Sequence, residues 1–235
     1  MPAARRLRIL RKLIGDAGSD LNARRLCDVC AEVTGVSGAA IMLMSADIPQ
    51  GAACSTNALS ALLERLQFDL GEGPCVDAHQ THGPVLEPDL ATPVVVRWPA
   101  FANAAVEGGA RAVFAFPLQI GAVRLGALQL HGVLPGAISD EQHADALVMA
   151  DVAAQAVLVM QSDAPPGALA SALEASGEFQ YVVHQASGMV AAQLEVSIGQ
   201  ALIRLRAHSF GNGVPLAEVA AAVVGRTLRF DDGGA

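Results

Sequence analysis

The chain has 235 residues, 52% of them hydrophobic and 16% charged, with mean hydropathy +0.40, pI near 5.1 and a formal charge of −8. That composition excludes a disordered or low-complexity chain, and the acidity excludes a surface coated uniformly for nucleic acid, leaving only local basic patches for such a role. The charge is uneven: residues 1–25 carry net +5, residues 26–175 net −12 and residues 176–235 net −1.

A basic amphipathic helix is expected over residues 3–14 and a second helix over 21–33, with Cys27 and Cys30 on one face of it. Strand-like apolar runs follow at 39–45, 84–87, 110–120 and 123–133, the last two forming a hairpin around Gly121, with helical stretches at 57–67 and 99–106 between them. This order predicts an α+β unit, an antiparallel sheet with helices packed on a face. Ser139 and Gln142 have capping-box spacing and start a helix that runs to about residue 161. Its apolar residues, Met149, Val152, Ala153, Ala156, Val157 and Met160 beside Leu147, Ala150, Ala154 and Leu158, span so wide an arc that cover from two sides is expected. Its own sheet and a second copy of the chain are the expected covers, hence a homodimer.

The Pro-Pro-Gly of residues 162–167 marks a domain boundary. Three amphipathic helices follow it as a small all-α bundle. Ser197 with Gln200 caps the second, Gly211 and Gly213 break the chain, and Pro215 opens the third.

No run reaches the roughly 18 uninterrupted apolar residues of a membrane span, and no apolar signal core follows Arg5, Arg6 and Arg8. A cytoplasmic protein is therefore expected, with Cys27, Cys30, Cys54 and Cys75 as reduced thiols. A helix beginning after Gly71-Glu72-Gly73-Pro74 is expected to lower the pKa of Cys75 through its N-terminal dipole. The histidines at 79, 82, 131, 143, 184 and 208 show no metal-ligand spacing, and no phosphate loop, nucleophile elbow or framed carboxylate pair occurs, so an enzyme is not expected.

Two stretches carry a resemblance. Leu70 to Ala78 (LGEGPCVDA), Asp89-Leu90, Arg97-Trp98-Pro99-Ala100-Phe101 and Gly109 to Leu118 (GARAVFAFPL) look like the GAF domain of actinobacterial regulators over residues 20–160. Val183 to Val190 (VHQASGMV), Val196-Ser197, Ala201 to Ala207 (ALIRLRA) and Leu216-Ala217-Glu218-Val219-Ala220 resemble the ANTAR domain over residues 178–228. The division implied is a basic N-terminal helix (1–19), a GAF sensor ending in a dimerisation helix (20–161), a linker (162–177) and an ANTAR RNA-binding domain (178–235).

The resemblance implies a transcription antitermination regulator in which a GAF sensor controls a dimeric three-helix output that grips RNA hairpins. It implies RNA contacts from His184, Gln185, Ala186, Ser187, Gly188, Arg204, Arg206 and His208; loss of the family's lysine is expected to weaken binding or move the contacts to Arg204, Arg206, Arg226 and Arg229, and the basic first helix, which could add to them, is expected rather to dock on the acidic body. A sensor pocket of Gly71, Glu72, Gly73, Pro74, Cys75 and Asp77 against the sheet is expected to take a small-molecule signal of unknown identity, and the cofactor is unknown. Of the Asn-Lys-Phe-Asp-Glu set of cyclic-nucleotide-binding GAF domains only Phe68-Asp69 occurs, which disfavours that ligand. Many ANTAR relatives carry Ala-Lys-Gly where this chain has Ala186-Ser187-Gly188, so a cation at the expected RNA surface is missing. The alternative is a sensory or scaffold protein whose helical tail binds a protein partner and has lost RNA binding.

Overall fold

The computed structural model describes residues 2–14, 22–45, 48–163 and 178–230. It divides into two compact units, Met1–Ala172 and Leu173–Ala235. The expected linker falls for the most part on residues 164–177, which lie outside the described residues.

Unit 1 begins with α1 (Pro2–Ile14) and α2 (Ala23–Thr34), the latter capped where Asn22 accepts the Arg25 N–H. Strands β1 (Gly38–Ser45) and β2 (Ile48–Ser55) lead to α3 (Ala58–Leu70) and α4 (Pro74–Thr81). Then come β3 (Val85–Glu87), α5 (Pro99–Glu107), β4 (Ala112–Ile120), β5 (Val123–Gly132) and α6 (Asp140–Asp163). The five strands form one antiparallel sheet in the order β2-β1-β5-β4-β3. The expected α+β architecture is the one observed.

Side chains alternate across the sheet with period two. Met42 and Met44 of β1, Val113 and Ala115 of β4 and Ala127 of β5 join a core with Leu63, Cys75, Trp98 and Phe101 from the α3–α5 side. Phe116 points to the other face, its ring 5.5 Å from that of His143 on α6. β5 passes so close to β1 that a Cβ on Gly126 would lie 1.9 Å from the Met42 carbonyl oxygen, so only glycine fits there.

The expected capping box at the start of α6 is present. Gln142 N–H donates to Ser139 Oγ (3.2 Å), Ser139 N–H donates to Gln142 Oε1 (2.9 Å), and the Gln142 amide reaches on to the Thr34 carbonyl at 2.7 Å. The cover of α6, however, comes from within the chain: α1 and α2 both pack on it alongside β4. Ile9 and Leu13 of α1 are buried, while Arg5 and Arg8 bond Asp145 and Arg6 bonds Asp151. The wide apolar arc therefore does not by itself require a second copy. Over Asp140–Met160 this helix is long and apolar enough to cross a membrane by length and composition, yet half of that window is buried inside the unit.

Two expectations are corrected. No strand is assigned to residues 48–55 from the sequence, and they form the edge strand β2 by pairing with β1 through two register shifts. The cysteines are not all thiols: Cys27 of α2 and Cys54 of β2 form a disulfide across 27 residues of sequence, leaving Cys30 and Cys75 free and buried.

Unit 2 consists of α7 (Glu178–Leu194), α8 (Ile198–Asn212) and α9 (Leu216–Val224), packed on one another. Val183, Ala186, Val190 and Leu194 of α7, Ala201, Leu202 and Leu205 of α8, and Leu216, Val219, Ala220 and Val223 of α9 are buried at helical spacing. The Ser197–Gln200 capping box starts α8, and Gly213 with φ 63° ends it.

Candidate functional sites

Within unit 2 the expected RNA residues divide by helical phase. On α7, Gln185 and Gly188 are exposed, His184 is half-buried, and Ala186 and Ser187 are fully buried. Ser187 Oγ donates back to the Val183 carbonyl at 2.8 Å, so position 187 starts from the bundle interior. The position at which many relatives carry lysine is thus taken by a buried serine that is bonded to its own helix. A Cβ on Gly188 would meet nothing within 4 Å, so nothing described in this unit requires glycine at that point.

On α8, Arg204 is exposed and Arg206 and His208 are half-buried. His208 stacks edge-on against Phe230, 5.4 Å between ring centroids, and the Phe230 N–H donates to Gln193 Oε1 at 3.0 Å. These contacts fix the chain after α9 against the ends of α7 and α8, next to Arg229. Arg226, with φ 59°, is exposed just beyond α9.

In unit 1 the expected sensor residues bond inward. Gly71 ends α3 with φ 69°. Glu72 Oε1 accepts the N–H groups of Ala100 and Phe101, at 3.0 and 2.9 Å, and so caps α5, whose own N-cap residue Trp98 offers no side-chain cap. Gly73, with φ 137°, lies against Gln67, whose side chain a Cβ would meet at 2.4 Å, and Pro74 opens α4. Asp77 Oδ2 accepts the Trp98 indole N–H at 2.9 Å, and the Arg97 guanidinium sits 4.4 Å over that indole. The two resembling motifs therefore lock onto each other, tying the α3–α4 turn to the start of α5.

Cys75 has its N–H bonded to Gln67 Oε1 at 2.7 Å, and burial pushes its thiol up to about 12. The expected lowering is overturned because full desolvation of the thiolate outweighs the dipole of a two-turn helix. Burial likewise raises the Cys30 thiol.

The sequence reading missed a row of buried polar groups behind this lock. Ser60, Glu64 and Gln67 share one face of α3 at helical spacing, and all three are buried. Gln67 bonds Gln129 of β5, and His131, two residues on, lies beside Ser60 and Asn57 where a Cβ on Gly38 would strike all three. Glu64 Oε1, Gln129 Nε2 and His131 Nε2 make no hydrogen bond among the described residues. Burial, with a smaller contribution from Asp69, raises the Glu64 carboxyl to about 8, and burial lowers His131 to about 4. The signal was present as polar residues inside apolar runs, Leu128-Gln129-Leu130-His131 above all. No group of three or more His, Cys, Asp or Glu residues able to hold a metal occurs among the described residues.

Comparison with known proteins defines the class. Unit 1 has the fold of the GAF domain from a phosphoenolpyruvate-protein phosphotransferase of Coxiella burnetii, with TM-score 0.50 at 15% identity over 68% of this chain and 96% of that one. The equivalent domain from Acinetobacter gives 0.50 at 12% identity over 69% and 96%. The chromophore-binding domain of an unusual bacteriophytochrome of R. palustris gives 0.51 at 15% identity over 69% and 63%. Residues 171–224 match the ANTAR domain family. The chain thus joins a GAF-fold unit to an ANTAR domain. A search of curated proteins returns no match to the sequence.

Proposed function

We propose that the chain is a cytoplasmic, signal-responsive, RNA-binding antitermination regulator, in which the GAF-fold unit senses a small molecule and the ANTAR domain, as part of a homodimer, binds RNA hairpins. The ANTAR match over residues 171–224 carries this reading. It is supported by the outward placement of Gln185, Gly188 and Arg204, which leaves a glycine backbone and a guanidinium open to a ligand. The unmet buried groups Glu64, Gln129 and His131 support a sensing role for unit 1, since each gains from a polar ligand or water that pairs it. The groove of about 270 Å³ between α1 and α6, lined by Leu10, Leu13, Ile14, Val152, Ala156 and Val159, supports self-association through these helices. The protein-partner alternative is motivated by Ser187 and by the net −1 charge of residues 176–235, and absent hairpin binding favours it. The test is filter binding of the full chain to tandem-hairpin RNA and to random RNA at moderate salt. Preference for the hairpins is expected, and equal or absent binding overturns the reading.

A further inference from the structure

The best-packed face of α8 is buried through Ala201, Leu202 and Leu205. The opposite face is not polar. Phe210 is 75% exposed and Ile203 63% exposed, and with Ala207 they fall at i, i+4 and i+7 on one line along the helix. On a helix of 3.6 residues per turn, Arg204 lies on one side of this line and Arg206 on the other. No acidic residue occurs anywhere in α8, whose sequence is IGQALIRLRAHSFGN.

An exposed aromatic edged by two guanidinium groups, on a helix whose core contacts are already made, suits one kind of partner. A second copy meeting this face about a two-fold axis would bring the same cations into the same small patch, which costs affinity. A duplex offers phosphates and no free base face. A nucleic-acid loop offers both: an unpaired base has a π-face for the ring, and the phosphates on either side of it pair with the guanidiniums. We propose that Phe210, with Ile203 and Ala207, is a stacking platform for an unpaired base of the RNA loop, and that Arg204 and Arg206 grip the flanking phosphates. This rests on the RNA-binding reading and names within it the part that distinguishes loop from stem.

The test uses the full chain, a labelled hairpin RNA pool with a randomised loop, and a blunt duplex of the same stem. Wild type is expected to prefer the hairpin pool. Phe210→Ala is expected to weaken hairpin binding roughly 5- to 150-fold, the range for loss of one base stack, with the salt dependence unchanged. Phe210→Trp restores binding and Phe210→Leu does not, whereas Arg204→Ala gives a shallower salt dependence. Hairpin binding that survives Phe210→Ala while Arg204→Ala weakens it overturns the platform and leaves the RNA reading standing. Full binding by Phe210→Leu overturns it too, since a merely apolar contact then suffices. A change in sedimentation with Phe210→Ala assigns the face to a copy of the chain and overturns it, and a wild type that binds neither RNA removes both readings.

Discussion

The two units use their motifs in opposite directions. In the GAF-fold unit the residues that carry the resemblance turn inward: Glu72 caps α5, Asp77 holds the Trp98 indole and Cys75 is sealed under the sheet. Within the ANTAR domain the corresponding stretch is split by helical phase, with Ala186 and Ser187 in the core and Gln185, Gly188 and Arg204 facing out. A motif of the first kind reports how a fold is assembled, and its residues cannot be taken for a ligand set without asking what they already bond. One of the second kind leaves side chains with no partner among the described residues, which is the condition for contact with something else.

The sharpest way to break this contrast is through glycine. Gly126→Ala places a Cβ 1.9 Å from the Met42 carbonyl at φ 151°, and a loss of about 4 kcal/mol or more, read as failure of unit 1 to fold in urea titrations, is expected. A mild effect here means that β5 can move away from β1.

The buried row in unit 1 gives a second, pH-dependent handle. Glu64 holds its proton to about pH 8 in the folded chain against an ordinary value of 4.5, so unfolding releases a proton and stability falls as pH rises from 4.5 to 8. His131 acts with the other sign: its folded value of about 4 lies below the ordinary 6.5, so stability falls as pH drops from 6.5 to 4. Above pH 6.5 the Glu64 slope is left unopposed by His131, and Glu64→Gln is expected to flatten the urea midpoint of unit 1 between pH 6.5 and 8. A midpoint that keeps its slope in that variant places the titrating group elsewhere.

Removing the inward motif bond is a smaller change. Glu72→Ala strips two N–H groups at the start of α5 of their acceptor and is expected to cost about 1–2 kcal/mol, as loss of a helix cap does, in the unfolding of unit 1. The smallest effect has the opposite sign. Gly188→Ala fills open space in the middle of α7 and is expected to stabilise unit 2 by about 1 kcal/mol in calorimetry while weakening RNA binding. Destabilisation by this change would show that the outward glycine is held by its own chain after all.

Local features were the legible ones. Both capping boxes, at Ser139 and Ser197, and the β4–β5 hairpin around Gly121 follow from spacing within a few residues. What depended on distant neighbours was not legible. Residues 48–55 become a strand only because β1 lies beside them, and the Cys27–Cys54 bridge exists only because that strand does. The shift at Cys75 turned on how deeply α4 sits against β4 and β5, which no spacing states. The burial of Ser187, by contrast, was legible: it stands four residues after Val183 and three before Val190, in phase with the core stripe.

The chain has one tryptophan and one tyrosine. Trp98 sits at the motif lock of unit 1, its indole tied to Asp77 and roofed by Arg97, whereas Tyr181 stands 54% exposed on α7 of unit 2. Each unit therefore contains a single intrinsic fluorophore of its own kind. Indole emission tracks the loosening of the α4–α5 junction, phenol emission tracks events at the first helix of unit 2, and the two halves of the molecule can be watched separately with no label attached.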